Sequence, residues 1–293
     1  MFMRSSLDRR ADVQIAMVSV VETFSRHLVN ERLVNLLLNN SKSPFFLHNE
    51  VEIYPDGDVF FKALLKDIRS AEHHIHLQYY IVRHDVIGCE IQRALIERAN
   101  AGVEVRFIYD SVGCWRLKKS YIEELRQAGV ACYEFLPMAF PLFGRELNYR
   151  NHRKLTIIDG AIGYIGGNNI GDEYRGANPA MGYWRDTHLR VIGEVVMGLQ
   201  HHFLMDWAFV SHELLLESDY LRVIPTENQS MIQVAASGPD TDWEIISQAY
   251  FSMIATAKWR IWINTPYLVP DESIMVGLET AALSGVEIGR AHV

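Results

Sequence analysis

The stretch that decides the fold runs from Asn148 to Tyr174 and reads NYRNHRKLTIIDGAIGYIGGNNIGDEY. Side chains on a β-strand point to alternate faces, so His152 and Lys154 share a face of the strand that this segment predicts. Asp159-Gly160 lies between two short apolar runs, a strong signal for a two-residue hairpin loop with positive φ at both turn positions. The segment therefore predicts a β-hairpin that presents a histidine and a lysine on one side.

The residue types around this hairpin suit phosphoryl chemistry. A neutral imidazole can attack phosphorus, and a lysine ammonium can neutralise phosphoryl oxygens. Gly166 and Gly167 allow close backbone approach, and the side-chain amide of Asn169 can donate to a further oxygen. Two solvent-facing polar residues on an ordinary strand would explain His152 and Lys154 alone, but the complete pattern favours a nucleophile beside a phosphate-binding group.

Composition places the chain among ordinary globular proteins, with 293 residues, 49% of them hydrophobic, and a net charge of −8. That charge argues against a general nucleic-acid-binding protein, and no nucleic-acid partner is expected. The apolar run Val13–Val21 is shorter than the roughly 20 residues that span a bilayer, and no signal peptide is expected. The cysteines Cys89, Cys114 and Cys132 are scattered, which favours a reducing compartment over a disulfide framework or zinc site.

Helices and strands alternate along much of the chain, which predicts an α/β fold with a largely parallel sheet. A long N-terminal helix is predicted at about residues 8–39. Further helices are predicted at 59–72, 89–102 and 120–129, and strands at 74–82, 103–110 and 130–136.

An internal repeat is the main feature of the chain's organisation. IHLQYYIV at Ile75–Val82 resembles IWINTPYLV at Ile261–Val269. The helix that follows ends alike in both places, with LIERANAGVEV at Leu95–Val105 and LETAALSGVEI at Leu278–Ile288. A second copy of the fold is therefore predicted to begin at about residue 230.

The pattern His-x-Lys-x4-Asp-x6-Gly-Gly-x-Asn resembles the signature of the phospholipase D superfamily, and the flanking sequences resemble its bacterial cardiolipin synthase branch. The resemblance covers about residues 49–287. The residues that carry the pattern are His152, Lys154, Asp159, Gly166, Gly167 and Asn169.

The resemblance implies a role for each site residue. His152 would be the nucleophile that forms a phosphatidyl-histidine, while Lys154, Gly167 and Asn169 would bind the substrate phosphate. Asp159 would hold the hairpin. Asp186 matches the carboxylate that orients the nucleophilic histidine in relatives, although a salt bridge to Arg185, Arg190 or another arginine would also explain it.

The reaction implied by the resemblance joins two phosphatidylglycerols into cardiolipin and releases glycerol. No cofactor and no metal are expected. The implied partners are phosphatidylglycerol and an anionic membrane surface, and the implied location is the bacterial cell membrane. Relatives of this branch carry two membrane-spanning helices before the catalytic region, and none is recognised in this sequence.

The sequence departs from the family pattern in its second half. Relatives have two motifs that face each other, and the second histidine would act as a general acid. Here only the first motif is found, so half of the active site is expected to be missing. The tail EIGRAHV at Glu287–Val293 does not continue as the first copy does. It also reads as the translation of a sequencing adapter, so residues from about 288 are expected to be artefactual.

These observations predict a phospholipase D-like mixed sheet flanked by helices, with one complete domain and the start of a second. The predicted boundaries are an N-terminal helical segment at 1–48, a first catalytic domain at 49–222 and an incomplete second domain at 223–293. Two alternatives stay open. In the first, the chain is a single-motif phosphodiesterase or nuclease that works as a homodimer. In the second, it is an inactive fragment with exposed strand edges and poor solubility.

Four other segments have two interpretations each. HHIH at His73–His76 matches no zinc spacing and is interpreted as a core strand with polar ends. LPMAFPLFGREL at Leu136–Leu147 is either core or a lip that touches lipid. GDEYRG at Gly171–Gly176 either contacts the glycerol headgroup or is a simple acidic loop. A cationic rim is predicted from Arg145, Arg150 and Arg153. It either attracts anionic headgroups or is merely solvated.

Overall fold

The computed structural model describes residues 31–137, 150–215, 220–222, 224–238 and 243–291. The chain divides into two compact units. The central unit is Leu47–Met231, and the terminal unit combines Met1–Phe46 with Ile232–Val293. The predicted 136–147 lip lies outside the described residues from position 138 onward, as does the predicted N-terminal helix before position 31.

A mixed sheet of seven strands forms the centre of the central unit, in the order β2-β8-β7-β6-β3-β4-β5. Strands β3, β4 and β5 are parallel, and every other neighbouring pair is antiparallel. The strands are β2 (Asn49–Asp56), β3 (His74–Tyr79), β4 (Glu104–Asp110), β5 (Ala131–Phe135), β6 (Leu155–Ile158), β7 (Ile162–Gly166) and β8 (Arg185–Gly193).

Four α-helices and a short 3₁₀-helix complete the central unit within its described part. They are α2 (Gly57–Ser70), α3 (Val86–Asn100), α4 (Lys119–Gln127), the 3₁₀-helix (Asp172–Arg175) and α5 (Val195–Ser211). The amphipathic patterns locate the first three helices to within about three residues of these bounds.

Alternation along β3 separates two layers of packing. Ile75, Leu77 and Tyr79 belong to a hydrophobic core that also contains apolar side chains of α2, α3 and α4. The residues between them face α5, where the His76 ring stacks on Phe203 with centroids 4.4 Å apart. Because every residue of β3 is buried, this strand lies at the centre of a helix–sheet–helix arrangement.

The terminal unit contains α1 (Glu31–Ser41), α6 (Ile245–Thr256) and α7 (Glu272–Leu283). Short strands β1 (Phe45–Phe46) and β9 (Ile232–Gln233) pair antiparallel, whereas β10 (Arg260–Asn264) and β11 (Glu287–Ala291) pair parallel. Leu37 of α1 is buried with Ile245 and Ala249 of α6. The predicted N-terminal helix thus has its described end in the same unit as the second half of the repeat.

The repeat seen in the sequence has the same strand register in both copies. In the central unit His74 pairs with Glu104, and in the terminal unit Arg260 pairs with Glu287. Both copies connect the two strands through a helix. Strand β11 includes the tail residues from Ile288 to Ala291, and the predicted artefactual origin of that tail stays a prediction.

The two copies differ in burial. All of β3 is buried, whereas β10 alternates between exposed and half-buried residues, and Trp262 is 67% exposed. In the central unit, β6 covers the second edge of β3, and α5 and the α2–α4 core cover its faces. Among the residues described here, β10 pairs with β11 only. The assignment of 223–293 to an incomplete homologous domain stays a prediction, as does its poor solubility.

Candidate active site

The ends of five strands bring the predicted site residues other than Asp159 to one end of the central sheet, called the site edge below. Because β3 and β4 are parallel, Tyr80, which follows β3, and Asp110, the last residue of β4, lie at the same edge. The antiparallel strand β6 starts there, directly after His152 and Lys154. Strand β7 ends there and β8 begins there, which adds Gly166–Asn169 and Asp186. In α/β sheets, ligands bind at such carboxyl ends of parallel strands.

His152 is exposed to solvent, but one face of its ring stacks on Tyr80 with centroids 3.7 Å apart. Its pKa is lowered, first by burial and then by the charge of Lys154, while Asp110 acts in the opposite direction. A histidine with a lowered pKa stays neutral at neutral pH. Its ring nitrogens therefore keep the lone pair that a nucleophile needs.

Lys154 is buried directly beside this histidine. Its Nζ donates to the His152 carbonyl oxygen at 2.6 Å and lies 5.4 Å from the centroid of the Tyr80 ring. Burial lowers the pKa of Lys154 to about 8, against the opposing effect of Asp186. The ammonium is thus largely desolvated, and a charge in that state acts strongly on a neighbouring anion.

The charge of Asp186 acts on Lys154, whose pKa it raises. Its carboxylate contacts the Gly167 backbone so closely that a Cβ at Gly167 would overlap it. One oxygen accepts the N–H of Thr187 at 2.7 Å. The carboxylate whose charge raises the pKa of His152 is that of Asp110, not that of Asp186. The alternative partner Arg190 pairs with Asp67 at 2.6 Å, and the role of Asp186 in orienting His152 stays a prediction.

The two glycines of the motif are explained by the approach of strand β8. A Cβ at Gly166 would lie 2.5 Å from the Cα of His188 and from the carbonyl oxygen of Thr187. Any larger residue would push β8 away from β7 and carry Asp186 with it. The close approach expected from the sequence is therefore that of a neighbouring strand.

Asn169 is buried and makes two structural hydrogen bonds. Its Oδ1 accepts the N–H of Ile81 at 3.0 Å, and its Nδ2 donates to the Tyr174 hydroxyl at 3.0 Å. These bonds explain why β3 ends at Tyr79 rather than at the predicted Val82, since the chain turns towards the Asn169 side chain. Binding of a substrate phosphate by this amide stays a prediction.

Asp159 connects the hairpin turn to the start of β3. Its carboxylate accepts three backbone N–H groups, those of Glu72, His73 and His74, at 2.7–2.9 Å. Asp159 and Gly160 both have positive φ, 54° and 63°. The strands close with Ile158 opposite Ile162, so the loop is one residue longer than the predicted two-residue loop. These contacts agree with a structural role for Asp159, away from the site edge.

The segment 150–154, called the nucleophile segment, is held on one side of His152 by Asp206 of α5. The Asp206 Oδ2 accepts from Gln78 Nε2 at 2.7 Å and from Asn151 Nδ2 at 2.8 Å, and it also pairs with Arg153. Asn151 and Arg153 flank His152, so one carboxylate holds the chain before and after this histidine.

A second set of contacts holds the start of the nucleophile segment. Arg150 donates to the Ser111 hydroxyl and to the Leu136 carbonyl oxygen, both at 2.9 Å, and lies 3.9 Å from Asp110. Arg150 and Arg153 are therefore ion-paired, which corrects their interpretation as a free cationic rim. Arg145 lies outside the described residues.

Tyr80, Asp110 and Asp206 were missed by the sequence reasoning. Tyr80 lies near the end of the predicted strand 74–82, and Asp110 is the last residue of the predicted strand 103–110. Polar residues at such strand ends are a recognisable signal. Asp206 lies on a helix that follows the motif by some fifty residues, and its helical spacing predicts only an amphipathic face. Pairing between α5 and the nucleophile segment depends on tertiary packing.

Two other interpreted segments have structural partners. His74 and His76 are fully buried and contact the side chain of Gln200, so these rings lie in the core itself. In GDEYRG, the Asp172 carboxylate accepts the N–H groups that begin α3, and Arg175 pairs with Asp58 at 2.7 Å. The contacts favour a simple structural loop over a headgroup site.

Two features, a cluster of metal ligands and a membrane-spanning helix, were sought among the described residues. No group of three or more potential metal ligands is found among them. No helix in the described part is long and apolar enough to cross a membrane.

Residues 64–207 match the protein family described as "Cardiolipin synthase, PLD-like domain". The chain is similar to the cardiolipin synthase of Geobacillus kaustophilus (strain HTA426), with 48% identity over 258 residues, 87% of this chain and 51% of that protein. Cardiolipin synthase 2 of Bacillus cereus (strain ATCC 14579) is 48% identical over 241 residues, covering 82% of this chain and 47% of that protein. The chain spans about half the length of the curated relatives it matches.

Two solved structures share the fold at low identity. The phosphatidylserine synthase of Haemophilus influenzae Rd KW20 has a TM-score of 0.61 and 15% identity, covering 88% of this chain and 65% of that chain. Polyphosphate kinase from Porphyromonas gingivalis has a TM-score of 0.52 and 15% identity, covering 83% and 34%. At this identity the likeness concerns the fold alone, a mixed α/β sheet flanked by helices.

Proposed function

Because the chain carries a phospholipase D-like domain of the cardiolipin synthase family at residues 64–207, we propose that the protein is a phosphatidyltransferase of the cardiolipin synthase type. It joins two phosphatidylglycerols into cardiolipin and releases glycerol. The observation that carries the proposal is the pair of His152 and Lys154 at the site edge, in contact through a 2.6 Å hydrogen bond. The 48% sequence identity to proteins named cardiolipin synthase supports phosphatidylglycerol as the substrate.

The first half-reaction forms a bond between a His152 ring nitrogen and the phosphorus of phosphatidylglycerol. The bond from phosphorus to the headgroup glycerol breaks, and the glycerol leaves after taking up a proton. Lys154, and in this proposal the Asn169 amide, stabilise the charge on the phosphoryl oxygens, and Gly167 leaves room for the Asp186 carboxylate. Asp186 acts through Lys154 and His152 as a positioning residue.

The second half-reaction resolves the phosphatidyl-histidine. A hydroxyl of a second phosphatidylglycerol attacks the phosphorus, loses its proton and displaces the neutral His152. Splitting one displacement into two in this way lowers each barrier. Proton transfer to the leaving glycerol needs a general acid. The relatives, about twice as long, would supply it from the part of their sequence that this chain does not span.

The proposal places the protein at an anionic membrane surface, because both substrates are membrane lipids. Pairing of two chains would bring two copies of the motif together and is the route by which the present chain itself would gain a general acid. If neither form of the protein reacts in the test below, the result supports the alternative that the chain is an inactive fragment.

The proposal is tested with phosphatidylglycerol vesicles, comparing this chain with a form extended to the length of the relatives. Mass spectrometry is expected to find cardiolipin and glycerol in a 1:1 ratio. It is also expected to find the added mass of one phosphatidyl group on the peptide that contains His152. His152→Asn is expected to abolish both products. DNA cleavage without cardiolipin formation would replace the proposal by the nuclease alternative, and no reaction with either substrate would reject it.

A further inference from the structure

The loop that connects β4 to α4 places an exposed tryptophan and three exposed cations at the site edge. Trp115 is 65% exposed, and the Arg116 guanidinium lies 4.6 Å from the centroid of its ring. Arg116, Lys118 and Lys119 are all exposed. This group, called the Trp115 patch, contains no acidic residue and belongs to a chain whose net charge is −8.

No ion pair or helix-capping bond in the described part of the chain explains why these cations stand here. In the described part of the chain no ion pair involves Arg116, Lys118 or Lys119. The two lysines stand at the start of α4, where Lys118 makes no side-chain capping bond. Cations at that end of a helix oppose its dipole and lower its stability. By contrast, Arg150 and Arg153 at the same edge are neutralised by carboxylates.

The base of the loop is fixed, so the direction of the patch is set by the sheet. Asp110 Oδ1 accepts the N–H groups of Val112 and Gly113 at 2.8 and 2.9 Å. Gly113 packs so closely on the carbonyl oxygen of Tyr80 that a Cβ there would overlap it, and Cys114 is buried. Tyr80 is also the residue on which His152 stacks. The patch and the nucleophile are therefore attached to the same end of β3 and β4.

We propose that the Trp115 patch is the surface by which the protein docks on an anionic phospholipid bilayer, with the site edge towards the headgroups. The proposal rests on the proposed function for its orientation, because that function needs His152 at the headgroup level. Tryptophan is enriched where an apolar body meets water at a membrane interface. Basic residues beside it attract anionic lipids, and this attraction weakens with salt.

Charge complementarity selects the bilayer over nucleic acid as the partner. A nucleic-acid-binding surface is expected to extend as a basic stripe on a basic domain. Here three cations surround one aromatic residue on an acidic protein, and His152 lies at the same edge. Binding of DNA by the patch is retained as an outcome of the test.

The test measures binding to extruded vesicles by flotation, with phosphatidylglycerol/phosphatidylcholine and pure phosphatidylcholine vesicles. The double variant Lys118→Glu, Lys119→Glu is expected to weaken binding to the anionic vesicles by roughly tenfold or more, since each cation near such a surface contributes measurably. Lys66→Glu, Arg69→Glu is the matched control. It makes the same change in charge on exposed residues of α2, which lead to the opposite edge of the sheet, and is expected to bind like the unchanged protein.

The aromatic contribution is tested separately. Trp115→Ala is expected to weaken binding about threefold or more and to remain weak when salt is lowered, because an apolar contact is lost. Trp115→Phe restores part of the affinity. Ile53→Ala removes another exposed apolar side chain, 62% exposed on β2, and is expected to have no effect.

Equal loss of binding in the Lys66, Arg69 variant would overturn the proposal, because net charge alone would then explain the binding. Undiminished binding by both patch variants would overturn it too, as would a patch that binds DNA and not vesicles. His152→Asn is expected to bind vesicles normally. A protein that docks through the patch but makes no cardiolipin therefore rejects the proposed function while leaving the docking surface in place.

Discussion

At the scale of single residues, the site depends on two bases whose pKa values are both lowered by burial. His152 becomes neutral at a lower pH than an ordinary histidine, and Lys154 loses its proton near pH 8. Neutral His152 and charged Lys154 therefore coexist from somewhat below pH 6.5 up to about pH 8. The proposed chemistry needs that combination, and a pH window for activity follows.

The rate of cardiolipin formation is expected to fall above about pH 8, where Lys154 deprotonates, and again at acid pH, where His152 binds a proton. Lys154→Met is expected to lower the rate by about 10²–10³-fold at pH 7, the usual effect of removing one group that stabilises a transition-state charge. Lys154→Arg keeps a charge at high pH, so its residual activity should lack the alkaline fall. A pH–rate profile that is unchanged in Lys154→Arg would contradict the assignment.

At the scale of elements, the nucleophile segment has no strand pairing of its own before Leu155, and its conformation is set by side chains. Arg150 is held by the ends of β4 and β5, and Asn151 and Arg153 are held by α5. A displacement of about 1 Å in a catalytic group can cost about 10²-fold in rate. The helix that carries Asp206 is thus part of the site although it lies behind the strand.

Asp206→Asn is expected to lower kcat for cardiolipin formation by about 10–100-fold with little change in KM, because two of its contacts flank His152. Asp67→Asn is the control, since Asp67 also receives two side-chain donors, Tyr164 and Arg190. Both variants should lower Tm by similar amounts. A loss of kcat in Asp67→Asn as large as that in Asp206→Asn would show that the effect is one of general stability.

The hairpin turn has a measurable structural weight. Asp159→Ala removes three hydrogen bonds from the start of β3 and places alanine at φ 54°, so we expect a loss of about 2–4 kcal/mol in the free energy of unfolding. Asp159→Asn keeps one acceptor oxygen and tolerates the same φ, and about half of that loss is expected.

Urea denaturation measures both variants. Asp56→Ala is a suitable reference, because Asp56 caps α2 through two N–H groups and such a cap contributes about 1 kcal/mol. A loss at Asp159 no larger than that at Asp56 would argue against its role in holding the hairpin.

At the scale of the whole molecule, several histidines of the central unit are largely or fully buried and neutral. Burial lowers the pKa of His74 and His202 to about 4 and that of His188 to about 3, and it holds the pKa of His76 well below its usual value. In each case the unfolded chain binds a proton at a higher pH than the folded chain. Stability is therefore lost as the pH falls from about 6.5 towards these values.

His188 allows this acid sensitivity to be tested cleanly. Its ring stacks on Phe60, and neither ring nitrogen has a hydrogen-bond partner in the described part of the chain. His188→Phe is expected to be close to neutral at pH 7 and to recover about 2 kcal/mol at pH 5, since one pKa unit corresponds to about 1.4 kcal/mol.

Urea midpoints at pH 7 and pH 5 measure the difference, with His212→Gln, an exposed histidine, as the control. Equal acid sensitivity in the His188→Phe and unchanged proteins would contradict the expectation.

The sequence by itself determined the α/β class, the resemblance to the phospholipase D-like family, the hairpin with positive φ at Asp159 and Gly160, and the repeat whose two copies share one register. These features depend on local periodicity and on turn chemistry, which a few neighbouring residues encode. The tertiary structure alone decided that Asp206 holds the residues on both sides of His152, that the charge of Asp186 acts on Lys154, that Arg150 and Arg153 are neutralised and that the Trp115 patch is not. Each of these pairs residues from different elements, because burial and charge are set by the packing of segments that are distant in the chain.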